Sequence, residues 1–234
     1  MNHRSVKAAV FDLDGTLADT SKDLIAAANA CFLEMGEGKP MLDPEGDQLV
    51  AFHGARAMLS CGIERMDPTL DRDALAEKYY ALFLDKYRAN IDRHTQLYPG
   101  AVDALNDLRD RGWRLCVCTN KPERLALKLL ERLEVLDMFL AVVGGDTYTM
   151  RKPDPMVYEL TTSLAGVPVP RSFMVGDTKY DLQTARNAGV AAVLVGFGPL
   201  GGAISALEPD VVLDSYDKLA EISESIVDGF EPRN

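Results

Sequence analysis

The chain has 234 residues, room for one large domain or for one domain with a modest second one. Hydrophobic residues make up 47% and charged residues 26%, which excludes a disordered, collagenous or disulfide-dense chain. The formal net charge of −11 is spread along the sequence and opposes nucleic-acid phosphates and acidic membranes, so neither nucleic acid nor membrane is an expected partner.

No apolar run reaches the roughly 18 residues of a membrane span. The apolar stretch of residues 1–10 is cut short by Asp12 and Asp14, so no signal peptide is expected. The four cysteines, Cys31, Cys61, Cys116 and Cys118, show neither metal nor disulfide spacing. They read as small apolar filler in a reducing compartment, and a cytoplasmic location is expected.

In chain order, residues 6–13 (VKAAVFDL) form an apolar run of buried-strand length, broken at Gly15 and Thr16. A helix is expected from Thr20 or Ser21, with Leu24, Ile25, Ala28 and Phe32 on one face. Residues 36–46 are rich in Gly and Pro and read as a connection. Helical patterns follow over residues 53–61 and 75–87, the latter with Leu75, Tyr79, Leu82 and Phe83 at helical spacing. No strand is expected between Asp19 and Arg93.

After Tyr98-Pro99-Gly100 the pattern alternates. A helix over 101–111 precedes a strand over 115–118 that ends in Thr119-Asn120, and Lys121 and Pro122 open a helix over 122–133. A strand over 141–143 runs into Gly144-Gly145-Asp146, and a helix over 155–165 precedes a strand over 173–175 that ends in Gly176-Asp177. A helix over 179–188, strands over 191–195 and 211–213, and a C-terminal helix complete the chain. Strands alternating with helices in this way predict an α/β fold with a doubly wound parallel sheet. The helical block after the first strand is then an inserted lobe. The expected division is a core of residues 1–18 and 95–234 and an α-helical cap of residues 19–94, joined near residues 16–21 and 93–99.

In such a sheet, functional groups sit just beyond the carboxyl ends of the strands. Asp12 and Asp14, Thr119 and Asn120, Lys152, and Asp177 all fall at these ends and converge on one crevice. Converging carboxylates repel one another unless a cation neutralises them. Hard oxygen ligands suit Mg²⁺, and a metal beside Lys and hydroxyl donors suits a phosphoryl group.

Four motifs carry a resemblance. Phe11-Asp12-Leu13-Asp14-Gly15-Thr16-Leu17 resembles the first motif of haloacid-dehalogenase-like phosphatases, and Val117-Cys118-Thr119-Asn120 resembles the second. Lys152-Pro153-Asp154-Pro155 resembles the third, and Val175-Gly176-Asp177-Thr178 with Asp181 resembles the fourth. The resemblance covers nearly the whole chain and implies a Rossmann-like core with a helical cap between the first and second motifs. Asp-x-Asp-Gly alone reads equally as a strand ending in a turn; all four motifs in order, each after an expected strand, carry the identification.

The resemblance implies a role for each residue. Asp12 is the nucleophile that forms an aspartyl-phosphate, and Asp14 is the acid and then the base. Gly15 lets the backbone approach the phosphate, Thr119 and Asn120 donate hydrogen bonds to it, and Lys152 neutralises the nucleophile and the transition state. Mg²⁺ is expected on Asp12, the backbone carbonyl of Asp14, and Asp177, with Asp181 orienting that shell. Arg56, in His53-Gly54-Ala55-Arg56, is a candidate substrate contact, with a solvated helix-surface arginine as the alternative. His53 and His94 read as surface or core histidines, Trp113 as packing and Arg151 as surface charge.

Within the family the motifs most resemble those of phosphoglycolate phosphatases, which implies a small phosphorylated metabolite as substrate and a monomer or homodimer. Another sugar phosphate, a nucleotide monophosphate or pyrophosphate remain alternatives. Asp14 argues against a dehalogenase, whose halide leaves unprotonated. Leu24 stands where related sugar phosphomutases carry a cap histidine, which disfavours a mutase. A non-catalytic binding module is the remaining class, and the presence of every motif residue argues against it.

Overall fold

The computed structural model describes residues 6–36 and 39–231. Residues 1–5, and residues 37–38 of the connection expected at 36–46, lie outside the described residues. By its internal contacts the chain divides into two compact units, one of Met1–Ala18 with Leu97–Asn234 and the other of Asp19–Gln96.

The first unit is built on a six-stranded parallel sheet. Its strands are β1 (Ala8–Phe11), β4 (Arg114–Cys118), β5 (Ala141–Val143), β6 (Ser172–Gly176), β7 (Ala191–Val195) and β8 (Val211–Leu213), in the spatial order β5-β4-β1-β6-β7-β8. The short strands β2 (Ala18–Asp19) and β3 (Gln96–Leu97), which pair as a two-stranded sheet, mark the two crossings between the units. The chain lays down strands on one side of β1 and then returns to its other side, so the strand order reverses between β1 and β6. That is the Rossmann-type order, in which a crevice opens beyond the carboxyl ends of the central strands.

The strands are continuous apolar runs because both sheet faces are covered. Between the strands lie α5 (Ala101–Asp110), α6 (Glu123–Arg132), α7 (Pro155–Leu164) and α8 (Lys179–Ala188), and α9 (Leu219–Asp228) closes the chain. On one face Val10, Cys116, Cys118, Met174 and Leu194 meet Val157 and Tyr158 of α7 and Leu182 and Ala185 of α8. Cys116 and Cys118 thus share a face, and all four cysteines are free. Burial pushes the Cys116 and Cys118 thiols up to about 12 and about 11, so both are packing residues. Trp113, also buried, sets its ring edge-to-face on Phe173 at 5.3 Å.

The second unit holds α1 (Ser21–Glu34), α2 (Gln48–Ala51), α3 (Ala55–Met66) and α4 (Arg72–Ala89). The helix expected over 53–61 starts two residues later, because Gly54 at φ +93° cannot continue an α-helix. The strand expected over 6–13 ends at Phe11. Beyond it, the Leu13 carbonyl accepts the N–H groups of Leu17 and Ala18 and folds the chain back. Among the described residues no helix is long and apolar enough to cross a membrane.

One close approach joins the sheet to the crevice. Gly176 ends β6, and a Cβ there would lie 2.3 Å from Cβ and Cγ of Asp181 in the first turn of α8. Only glycine lets strand and helix approach so closely. Asp181 in turn makes a capping box with Thr178: its Oδ2 accepts the Thr178 N–H at 2.9 Å and hydroxyl at 2.6 Å, and also the Asp177 N–H at 3.2 Å. Gly176→Ala is therefore expected to destabilise the protein by about 1–3 kcal/mol, the usual cost of overpacking. Urea unfolding monitored by circular dichroism checks this, and an unchanged midpoint would contradict the packing argument.

Candidate active site

Three strand ends and the segment before α7 deliver the polar residues. β1 hands over to Asp12, whose N–H still bonds the Val175 carbonyl at 2.9 Å, as a ladder residue would. The turn after it contains Gly15 at φ +79°, a left-handed conformation that suits glycine. The Gly15 N–H donates to the Ala18 carbonyl at 2.9 Å and closes the turn. β4 hands over to Thr119 and Asn120, and β6 to Asp177. Lys152 precedes α7, whose N-cap is Asp154; its carboxylate accepts the Met156 N–H at 3.0 Å, with Pro155 at the first helical position.

Lys152 is the centre of the charge pattern. Its buried Nζ lies 2.9 Å from Oδ2 of Asp12 and 2.6 Å from Oδ1 of Asp181. Burial works against its charge, but the two carboxylates outweigh that, and its pKa lies above the ordinary lysine value. Asp12 Oδ1 also accepts the Leu13 N–H at 2.7 Å, and the Thr119 hydroxyl bonds the same carboxylate. Even so, burial pushes Asp12 up to about 6 against the lowering pull of Lys152.

Asp12, Asp177 and Asp181 each present a carboxylate oxygen within 4.8 Å of the others, and all three are buried. Burial, then repulsion from Asp181 and Asp12, pushes Asp177 well above the usual carboxylate range. Three hard oxygen donors gathered under mutual repulsion fit a divalent cation of the Mg²⁺ type, which relieves that repulsion. Within the trio the partners differ. Both Asp181 oxygens are committed, one to Lys152 and the other to Thr178 and Asp177, whereas Asp177 accepts the Thr16 hydroxyl on Oδ1 at 2.7 Å.

The first unit thus brings together Asp12, Asp14, Gly15, Thr119, Asn120, Lys152, Asp177 and Asp181. Asn120 sits exposed with its amide donating to the Lys152 carbonyl at 3.1 Å, so it ties the second motif to the third. Arg56 belongs to the second unit. There its guanidinium contacts Glu77 at 2.6 and 3.1 Å and lies 3.7 Å above the Tyr80 ring. His53 and His94 are both exposed residues of that unit, and Arg151 is exposed in the first.

Three residues of the site carried no individual role in the sequence reading, although Thr16 lies inside the first motif. Lys121, expected only at the start of a helix, is buried with Nζ 2.7 Å from Asp14 Oδ1. Thr16 orients Asp177, and its own carbonyl accepts the Tyr216 hydroxyl at 2.8 Å. Gly198, in the loop after β7, lies so close that a Cβ would stand 2.9 Å from the Gly15 carbonyl and 3.5 Å from the Asp177 Cβ. The hints lay in the place of Thr16 within the first motif and in the adjacency of Lys121 to the Thr119-Asn120 strand end.

The model of the haloacid dehalogenase-like hydrolases matches residues 9–195, which include all four motifs. The chain belongs to this family. It is 36% identical over 219 residues to the phosphoglycolate phosphatase of Mesorhizobium japonicum, covering 93% of this chain and 95% of that protein. It is 39% identical over 211 residues to the phosphoglycolate phosphatase of Agrobacterium fabrum, covering 90% and 89%. The crystal structure of a predicted phosphoglycolate phosphatase from Haemophilus somnus 129PT shares the fold, with a TM-score of 0.79 at 23% identity over 93% of this chain and 98% of that one.

The charge pattern sets a stability test. Removing one partner of a buried ion pair typically costs about 3–5 kcal/mol, because the remaining charge is stranded. Lys152→Met leaves Asp12 and Asp181 facing each other, so a loss of that order is expected at pH 7.5. Lys152 holds Asp12 below the value that burial alone would set, so its removal raises that value further and protonation compensates at low pH. The loss should therefore shrink as pH falls toward 5. Denaturant midpoints at the two pH values measure it, and a loss independent of pH would contradict the pairing.

Proposed function

We propose that this chain is a Mg²⁺-dependent phosphatase that hydrolyses a small phosphate monoester, 2-phosphoglycolate, through an aspartyl-phosphate on Asp12. One arrangement carries the reading: the Asp12 carboxylate at the tip of the central strand, with the Lys152 ammonium at 2.9 Å and the Thr119 hydroxyl on it. A carboxylate so placed is a ready nucleophile, and a fixed cation beside it answers the charge of an incoming phosphoryl group.

Asp12 attacks phosphorus in line, and its new O–P bond forms as the bond to the leaving oxygen breaks. Asp14 protonates that oxygen. It then takes a proton from the water that attacks the phosphoenzyme, which releases inorganic phosphate and frees Asp12. Asp12, the backbone carbonyl of Asp14, and Asp177 would hold Mg²⁺, and Asp181 orients the shell while anchoring Lys152. When bound, the metal neutralises phosphoryl charge. Gly15 and Asn120 line the phosphate position. Residues 19–94 form the cap that reads the leaving group, with Arg56 as its candidate contact. The substrate assignment draws on the relatives named phosphoglycolate phosphatase, which match about nine-tenths or more of this chain. Four free thiols, three of them buried, agree with a cytoplasmic setting.

The two aspartates of the first motif separate by step. Asp12→Asn cannot form the phosphoenzyme and should fail on every ester. Asp14→Asn should slow an alkyl phosphate by about a hundredfold or more, the scale of general acid catalysis. A nitrophenyl phosphate needs no acid, so the same variant should still be phosphorylated and then stall. Rapid quench should show a nitrophenolate burst near one per site in Asp14→Asn and none in Asp12→Asn; a burst in Asp12→Asn would overturn the nucleophile. A screen of phosphorylated metabolites ranked by kcat/KM tests the substrate, and a rank for 2-phosphoglycolate below other small esters would reject it.

The metal assignment has its own signature. Asp12 and Asp177 are raised above their ordinary value of 3.8 in the folded chain, so folding takes up protons. The contribution of Asp12 to the stability of the metal-free protein therefore falls as pH rises from about 4 through about 6, and that of Asp177 falls as pH rises through its own raised value. Mg²⁺ binds the ionised forms, so its stabilisation should grow over the same range. The difference in Tm with and without Mg²⁺ should be clearly larger at pH 7.5 than at pH 5, and Asp177→Asn should remove most of it. Equal shifts at both pH values would sink the assignment.

A further inference from the structure

We propose that Lys121 is a positioning residue for Asp14: its buried ammonium fixes the plane of the Asp14 carboxylate so that the acid and base face the reacting oxygen. This rests on the reading of Asp14 given above and adds a residue to it.

Asp14 lies three residues past the end of β1, and its side chain is 21% exposed. A carboxylate in such a place is free to rotate unless something holds it. Lys121 Nζ approaches both oxygens, at 2.7 and 3.1 Å, which fixes the orientation of the group as well as its position. The Lys121 side chain is only 3% exposed. A lysine this buried ordinarily has a partner for its charge, and Asp14 supplies one.

The anchor of Lys121 is itself built. Its N–H donates to the Thr119 hydroxyl oxygen at 3.2 Å, and its carbonyl accepts the Gly145 N–H at 2.8 Å. Asp146 Oδ1 takes the Glu123 N–H at 2.7 Å, so the Gly144-Gly145-Asp146 turn grips the segment on both sides of Pro122. Gly145 is pressed so close that a Cβ would lie 2.4 Å from the Asn120 carbonyl. From this clamped backbone the lysine stem reaches Asp14. Asp12, by contrast, is held by Lys152 and Thr119. Loss of Lys121 should therefore disturb proton transfer and spare nucleophilic attack.

The test compares esters and combines variants. Lys121→Met, similar in length but neutral, should lose about tenfold to a hundredfold in kcat on an alkyl phosphate, the scale of a misplaced catalytic group. Its burst rate with nitrophenyl phosphate should stay within about twofold of wild type, because that step needs no acid. In an Asp14→Asn background, Lys121→Met should add almost nothing on the alkyl ester, since the group it positions is gone. Lys121→Gln, which keeps a donor, should show the same pattern more mildly and stands in if the Met variant does not fold. Equal losses on both esters, losses that multiply in the double variant, or no loss at all would overturn the proposal. If Asp14→Asn itself slows both esters alike, the role of Asp14 fails first, and that result is distinct from a failure of Lys121 alone.

Discussion

The site depends on one buried ammonium. Lys152 sits between Asp12 and Asp181 and lets two carboxylates remain in a space that would otherwise force protons onto them. Asp181 also holds the first turn of α8 and touches the end of β6, so the same contact binds the third and fourth motifs into one body. Strand, helix and charge are thereby coupled. A change in the position of Asp181 reaches Asp12 through a single hydrogen-bonded cation.

Two cations divide the labour among the carboxylates. Lys152 serves Asp12 and Asp181, whereas Lys121 serves Asp14. Asp12 and Asp14 are two residues apart, yet their charges are answered by separate lysines carried on different loops. That separation suits the roles proposed for the two groups, which would act at different moments. A nucleophile gains from a fixed counter-charge, while an acid and base gains from fixed direction with access to solvent.

Much of the fold was legible because its strands are buried on both faces. Continuous apolar runs such as AAVF and LCVC stand out against polar surroundings, and the groups at their ends follow from sheet topology. The members of the site that follow from strand ends, Asp12, Thr119 and Asp177, were therefore readable. Lys121 was not, because a lysine next to a proline at a helix start has an ordinary explanation, and only the long-range pairing with Asp14 distinguishes it. Thr16 stood inside the first motif, but its hold on Asp177 was not readable, because that partner lies 161 residues away. Helix limits in the second unit were blurred by Gly54, where one backbone torsion decides what residue type alone leaves open.

The insert that carries α1 to α4 leaves the first unit at Ala18–Asp19 and returns at Gln96–Leu97, and these two short strands lie side by side. A segment whose ends are already neighbours closes its loop at the root, whatever its length or content. The entropy of closing it rises only as the logarithm of its length, so lengthening or replacing it costs the host little. The parallel sheet and its charges can thus stay constant while the insert is exchanged wholesale. A chain with this geometry can acquire a new clientele by grafting rather than by redesign.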